Sequence, residues 1–360
     1  MFKNILVITL FIVVAGSAMF YYQLANLKSP IDDPIKLKIS KMSLDEKIGQ
    51  LVIVGFENKY VDGHIEKMIK QYHVGGVNLL GRNAESQSQV KKLISDLQSM
   101  SQIPLFIAID QEGGAMVRFK FLSELTPQSK ITSTTQAKNI AFERAQELKE
   151  LGVNMNFSPV MDYVSDKDSY LYHRTFGTNP DNIGELGDAM IKGYIKGGIV
   201  PVAKHFPGYG NVLSDPHNNK ALLIANKETF DFNLVPFKKI LIDSQIPAIM
   251  TAHIIIPFIS QKPSTLSSEM LSGILRKQFQ FKGVIITDDL EMVSVGGSIE
   301  QVAVDSINAG ADMLISTLTP EKQDKILNRL KKAVLNKEIT EKRIDESLMR
   351  ILKLKSFLSG

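Results

Sequence analysis

Residues 199–217 read IVPVAKHFPGYGNVLSDPH. The first five, Ile199 to Ala203, form a short apolar run of the kind buried on both faces in a parallel sheet. Lys204 and His205 follow at once, then three turn-formers (Pro207, Gly208, Gly210) and the triplet Asp215-Pro216-His217. Glycine and proline at this density mark a loop whose backbone needs special angles. A buried strand that empties into such a loop, with ionisable residues at the junction, reads as the rim of an α/β active site.

Outward from that strand the same alternation repeats. Strands are predicted at Leu51 to Phe56, Gly76 to Leu80, Leu105 to Asp110, Val153 to Phe157, Ile199 to Ala203, Ala248 to Ile255, Val284 to Asp288 and Asp312 to Ser316. Helical patterns lie between them: Asp62 to Tyr72, a stretch with Val90, Leu93, Ile94 and Leu97 on one face, and Thr135 to Leu151 stopped by Gly152. Others run from Asn182 to Lys196, Thr229 to Asp243, Ser267 to Phe279 and Ile299 to Asn308, with a closing pair at Lys322 to Leu335 and Thr340 to Phe357. Ser43 and Glu46 make a capping-box pattern ahead of the first strand. Strand then helix, about eight times over, predicts an α/β fold, a single-domain (β/α)8 barrel of the TIM type. A doubly wound open sheet is the rival, weakened because no glycine-rich dinucleotide fingerprint follows the first strand.

Composition narrows the function. With 42 basic and 38 acidic residues among 360, the chain has no cationic field suited to nucleic acid. Cysteine is absent, which excludes disulfides, thiolate metal sites and a cysteine nucleophile. Lys3 precedes an apolar run from Ile5 to Tyr22, with no charge before Lys28. That is an export pattern, and the run reads as an uncleaved anchor slightly better than as a cleaved signal. The positive-inside rule keeps Lys3 in the cytoplasm and sends the rest across, so a periplasmic or cell-surface protein is expected. The organisation read from sequence is therefore a signal or anchor at 1–24, a polar linker at 25–40 and the barrel at 41–360. A monomer is expected, without metal or cofactor.

Polar residues recur at the carboxyl ends of the predicted strands: Asp110, Asp162, Lys204 with His205, His253, and Asp288 with Asp289. In a barrel these ends converge on one face, so they share a pocket. His64, His73 and His173 read as solvated or loop residues, and His253 as either a pocket residue or a core histidine.

These motifs carry a resemblance. IDQEGGAMVR (Ile109 to Arg118), AKHFPGYG (Ala203 to Gly210), DPH (Asp215 to His217) and ITDDLEM (Ile286 to Met292) occur in the order seen in glycoside hydrolase family 3. Weaker matches are MSLDEKIGQL (Met42 to Leu51), NFSPVMD (Asn156 to Asp162), HRTFG (His173 to Gly177) and MTAHI (Met250 to Ile254). The chain resembles the single-domain β-N-acetylhexosaminidases of the NagZ type within that family. The resemblance implies a retaining hydrolase that removes terminal β-linked N-acetylglucosamine, with Asp288 as nucleophile. It implies His217 as acid/base, paired with Asp215, and substrate contacts from Asp110, Arg118, Arg174, Lys204 and His205.

The chemistry of these residue types agrees. A retaining glycosidase needs a carboxylate nucleophile and a separate proton donor. Asp288 ends an apolar strand and should point into the pocket mouth, whereas Asp289 should alternate to the other side. A carboxylate beside an imidazole orients the ring, which can then protonate a leaving oxygen and deprotonate water. Taken alone, Asp215-Pro216-His217 also reads as an Asx-type turn.

The chain departs from the family pattern at three places. Tyr209 stands where a second histidine is usual, Pro216 where serine is common, and Ala115 with Met116 where arginine and a β-branched residue follow the EGG run. Three other functions compete. One is a phosphorylase on the same fold, since a histidine donor repels phosphate less than a carboxylate would. The others are a β-glucosidase and an inactive membrane-tethered sugar-binding protein.

Overall fold

The computed structural model describes residues 33–212, 219–243 and 246–358. The apolar run from Ile5 to Tyr22 lies outside the described residues, as do Asp215 and His217. Among the described residues no helix is long and apolar enough to cross a membrane.

The chain divides at Met42. The first unit contains the helix Pro34–Lys41, at the end of the stretch expected to be linker. Asp33 caps it, accepting the N–H of Ile35 at 2.9 Å, and Pro34 supplies a preset φ at the first position.

The second unit is a barrel. Its strands are β1 (Val52–Val54), β2 (Gly76–Leu79), β3 (Phe106–Ile109), β4 (Met155–Asn156), β5 (Val200–Phe206), β7 (Ala248–Thr251), β10 (Val284–Asp289) and β11 (Met313–Ser316). They close in the order β1-β11-β10-β7-β5-β4-β3-β2, every neighbouring pair parallel. Each neighbour in the ring is thus the next barrel strand in the chain, which short helical crossovers permit. Ile53, Ile107, Ile249 and Leu314 are fully buried, as strands covered on both faces require.

Local chemistry sets the helix ends. Ser43 and Glu46 form the capping box, with bonds of 2.7 and 3.3 Å, and open the helix Leu44–Gly49. The helix Thr134–Leu151 starts at the Ser133 cap and stops at Gly152, whose φ of 94° is left-handed.

Four elements differ from expectation. β5 continues through Phe206, so Lys204 and His205 belong to the strand and not to the loop. The helix expected from Thr229 to Asp243 is two, Lys227–Asn233 and Val235–Asp243, with Pro236 at the start of the second, where it cannot donate back across the joint. The stretch Ala248 to Ile255 splits into β7 and β8 (Ile254–Ile256), and β8 leaves the barrel to join a second sheet with β6 (Ala221–Leu222) and β9 (Ser260–Pro263). The helix after β9, Glu269–Gln278, is a π-helix, ending with the Phe279 N–H on the Ile274 carbonyl at 2.9 Å.

One buried cation shapes the loop after β3. Arg144, fully buried on the helix Thr134–Leu151, donates to the Glu112 carbonyl and the Thr126 carbonyl at 2.8 Å each, and to Glu124 at 3.2 Å. Gly113 lies under it with φ 93°, where a Cβ would come within 2.1 Å of the Thr126 oxygen. Gln111 closes the loop on itself, accepting from the N–H groups of Arg118 and Phe119 at 2.9 and 3.0 Å. Arg144→Met leaves the Glu112 and Thr126 carbonyls without this donor and the half-buried Glu124 carboxylate without its cation. Urea unfolding should show a loss of roughly 3–5 kcal/mol; an unchanged midpoint would remove Arg144 from this role.

Candidate active site

β5 brings two polar side chains to the carboxyl end of the barrel. Its pairing with β7 slips between Ala203 and Phe206, and both Lys204 and His205 line one pocket of about 490 Å³. Asp110, Arg118, Arg174 and Asp288 line the same pocket. The structure thus brings together six of the eight residues singled out in the sequence. Asp215 and His217 lie outside the described residues.

The pocket wall is an alternating chain of charges. The Lys204 ammonium is shared by Asp110 and Glu112, 2.7 Å from each. Arg118 reaches Asp110 at 3.3 Å, and Arg174 grips Glu112 with two bonds of 2.9 and 2.7 Å. Lys204 and Glu112 are 2% and 1% exposed, so neither charge is tolerable without the other. Burial alone would raise the Glu112 carboxyl, but Arg174 and Lys204 outweigh it and bring it down to about 2. For Asp110, too, burial is outweighed by Lys204 and Arg118, and its carboxyl lies well below the usual range. Lys204 is pushed down by burial and lifted further by Asp110 and Glu112, so it stays a cation.

His205 is held differently. Asp162, fully buried, accepts from its backbone N–H at 3.1 Å and from ring Nδ1 at 2.7 Å. Its other oxygen accepts the N–H of Tyr209 at 2.8 Å. Because a carboxylate only accepts, Nδ1 carries the proton and Nε2 faces Asp288 at 3.9 Å. One buried acid therefore sets both the ring and the turn that follows β5.

The end of β10 carries two neighbouring carboxylates. Asp289 was expected on the opposite side from Asp288, but both line the pocket. The pairing of β10 with β11 slips between Ile286 and Asp289, which breaks the simple alternation. Asp289 accepts the hydroxyl of Thr317 and the N–H of Glu291. Burial raises its carboxyl to about 7 against those bonds. Glu291 accepts the N–H groups of Leu318 and Thr319 at 2.9 and 3.1 Å, just ahead of the helix Pro320–Leu335.

The sequence profile of the glycosyl hydrolase family 3 N-terminal domain matches residues 43–354. The chain belongs to glycosyl hydrolase family 3. A protein named beta-hexosaminidase from Nitrosomonas eutropha is 35% identical over 270 residues, covering 71% of this chain and 77% of its own. One of the same name from Methylobacillus flagellatus is 34% identical over 281 residues, covering 74% and 79%. Among solved structures, a family 3 β-N-acetylglucosaminidase from Paenibacillus sp. FPU-7 superposes with a TM-score of 0.86 at 32% identity. That match covers 88% of this chain and 63% of the other, so this chain spans less than two thirds of that protein. A β-N-acetylhexosaminidase from Beutenbergia cavernae gives 0.80 at 25% identity, covering 88% and 99%.

Sequence reasoning gave Glu112 no role in the pocket and read Asp162 only as a strand end. A signal existed for Glu112: it stands two residues after Asp110 in the loop that Gln111 folds back. Asn78, on β2, was also missed; it lines the pocket and is 4% exposed.

The ionised state of Glu112 has a pH consequence. Its carboxyl falls from an ordinary 4.5 to about 2 on folding, so its stabilisation is complete above the first value and lost as pH falls through the second. Between those values the wild type should lose stability with a steeper slope than Glu112→Gln, by at most about 1.4 kcal/mol per pH unit. Equal slopes in acid unfolding would show that Glu112 does not titrate in this window.

Proposed function

We propose that the chain is an exported, retaining exo-β-N-acetylhexosaminidase that releases terminal β-linked N-acetylglucosamine, with peptidoglycan fragments as its natural source. The observation that carries this reading is the placement of Asp288 in one pocket with the charged chain from Arg118 to Arg174. A pocket of about 490 Å³ suits one terminal sugar, and carboxylates alternating with cations suit its hydroxyl groups. Among the described residues, Asn78 Oδ1 and Arg118 Nε are buried in this pocket without a hydrogen-bond partner. The names of the relatives point the same way, and the apolar run at 5–22 supports export.

In the mechanism proposed, Asp288 attacks the anomeric carbon and forms a covalent glycosyl-enzyme. His205, fixed by Asp162, presents Nε2 beside that carboxylate. His217, oriented by Asp215, protonates the leaving oxygen and then activates water. These two roles rest on the family resemblance. Asp289, held neutral by burial below pH 7, is a poor nucleophile and a good hydrogen-bond donor.

The test is a panel of chromogenic glucoside, N-acetylglucosaminide and N-acetylgalactosaminide, each with and without phosphate. N-acetylglucosaminide should turn over fastest and phosphate should change nothing; phosphate-dependent turnover would make the protein a phosphorylase. Asp288→Asn should abolish turnover. His217→Ala should spare a dinitrophenyl leaving group and slow a poor one by about a hundred- to ten-thousand-fold. Equal slowing of both would reduce His217 to a binding residue.

A further inference from the structure

We propose that His253 is a positioning residue that aims the Asp288 carboxylate through the backbone at the end of β10. The inference rests on the reading of Asp288 as nucleophile.

The argument begins with register. β7 and β10 pair residue by residue from Ala248↔Val284 to Thr251↔Thr287, and there the ladder stops. Two residues further along each strand stand His253 and Asp289. The chain after β7 has left the barrel by then, because β8 pairs with β6 and β9. The backbone of Asp288 and Asp289 therefore loses its neighbour on that side just where the two carboxylates sit. The His253 ring fills the gap: Nε2 lies 3.0 Å from the Asp289 carbonyl. A side chain adds the rung that the backbone ladder lacks. From the turn after β10, the Met292 N–H reaches that carbonyl at 3.1 Å.

The ring can do this in one tautomer only. A carbonyl accepts, so Nε2 must carry the hydrogen. Nδ1 is 2.7 Å from the Thr265 hydroxyl. Burial lowers the basicity of the ring, against the pull of Asp288, and keeps it neutral. Nδ1 is then a lone pair and takes the Thr265 proton. That hydroxyl is also 3.0 Å from the Ala252 carbonyl, but giving its proton there would leave Nδ1 buried without a donor. Thr265 in turn receives from Thr251 at 2.7 Å. The direction of the relay is therefore Thr251 to Thr265 to His253 to Asp289. The backbone N–H of His253 donates to the buried Tyr209 hydroxyl at 3.2 Å, which fixes the ring's own root. A histidine with no exposed surface, and with both ring nitrogens and its backbone N–H engaged, has no freedom to turn.

The test compares His253→Ala, His253→Gln and Thr265→Val with the wild type by steady-state kinetics, labelling with a fluorinated slow substrate and thermal melting. Glutamine keeps an N–H that can reach the Asp289 carbonyl. His253→Ala should lower kcat by about ten- to hundred-fold with KM little changed. The loss should be equal for good and poor leaving groups, because Asp288 acts in both steps. His253→Gln should recover most of it, and Thr265→Val, which frees the tautomer, should fall between. Labelling at Asp288 should slow in the same order. Should the alanine variant fail to fold, the other two carry the comparison. Wild-type labelling rates in folded variants, or a loss confined to KM, would overturn the proposal. So would a loss that tracks melting temperature without rescue by glutamine. A label found elsewhere than Asp288 in the wild type would instead overturn the nucleophile assignment, which separates the two failures.

Discussion

A buried ammonium has to be paired, and at the carboxyl face of this barrel Lys204 is paired twice. Its 2% exposure leaves no solvent to share the charge, so Asp110 and Glu112 must both reach it at 2.7 Å. The two acids come from one loop, and for both to face one lysine that loop must turn back on itself. Gly113 provides the left-handed angle, Gln111 the internal clamp and Arg144 the cross-link from the helix behind. Arg174 then neutralises the remaining face of Glu112, which brings the loop after β4 to the rim. The position of two loops follows from the need to satisfy one charge.

The barrel was legible because its strands are short apolar runs that end in polar residues, and helices with clear caps separate them. What sequence could not show is where a strand stops being part of the barrel. Ala248 to Ile255 is apolar almost throughout, yet the chain leaves the ring after Thr251 and rebuilds as β8 against β6. Apolar patterning reports burial, and both sheets bury these residues. The break between the helices Lys227–Asn233 and Val235–Asp243 had a visible signal in Pro236. The π-helix Glu269–Gln278 had none, since its spacing of apolar residues fits an ordinary helix equally well.

The site was legible in its members more than in its geometry. Strand-end logic and family resemblance both pointed to Asp110, Lys204, His205 and Asp288, and these line one pocket. Glu112 and Asp162 escaped a role because each acts through a neighbour: one fastens a lysine, the other a histidine ring. Glu112 had one local mark, its place two residues after Asp110, whereas Asp162 had none, since its pairing joins residues 43 positions apart. Tyr209 looked like a departure from the family. In the fold its hydroxyl accepts the His253 N–H and its ring lies 5.2 Å from that of His205, so Tyr209 bridges the two histidines.

The two aspartates at the end of β10 show how one strand end can supply two unlike carboxyl groups. Had the alternation of a regular strand held, Asp289 would have faced away and met the surrounding helices. The slip against β11 turns it to the pocket instead, but deeper, against Thr317. Burial there costs the charged form more than the Thr317 bond returns, and Asp289 keeps its proton up to about pH 7. Asp288 retains 20% of its side-chain surface and faces the His205 ring. Neighbouring like charges are avoided without separating the residues, because one of the pair is neutral. This arrangement works only while the strand end stays where it is, and the backbone ladder on the β7 side has already ended at Thr287. The side chain that carries on from that ladder, His253, is thus tied to the same irregularity that places the two acids.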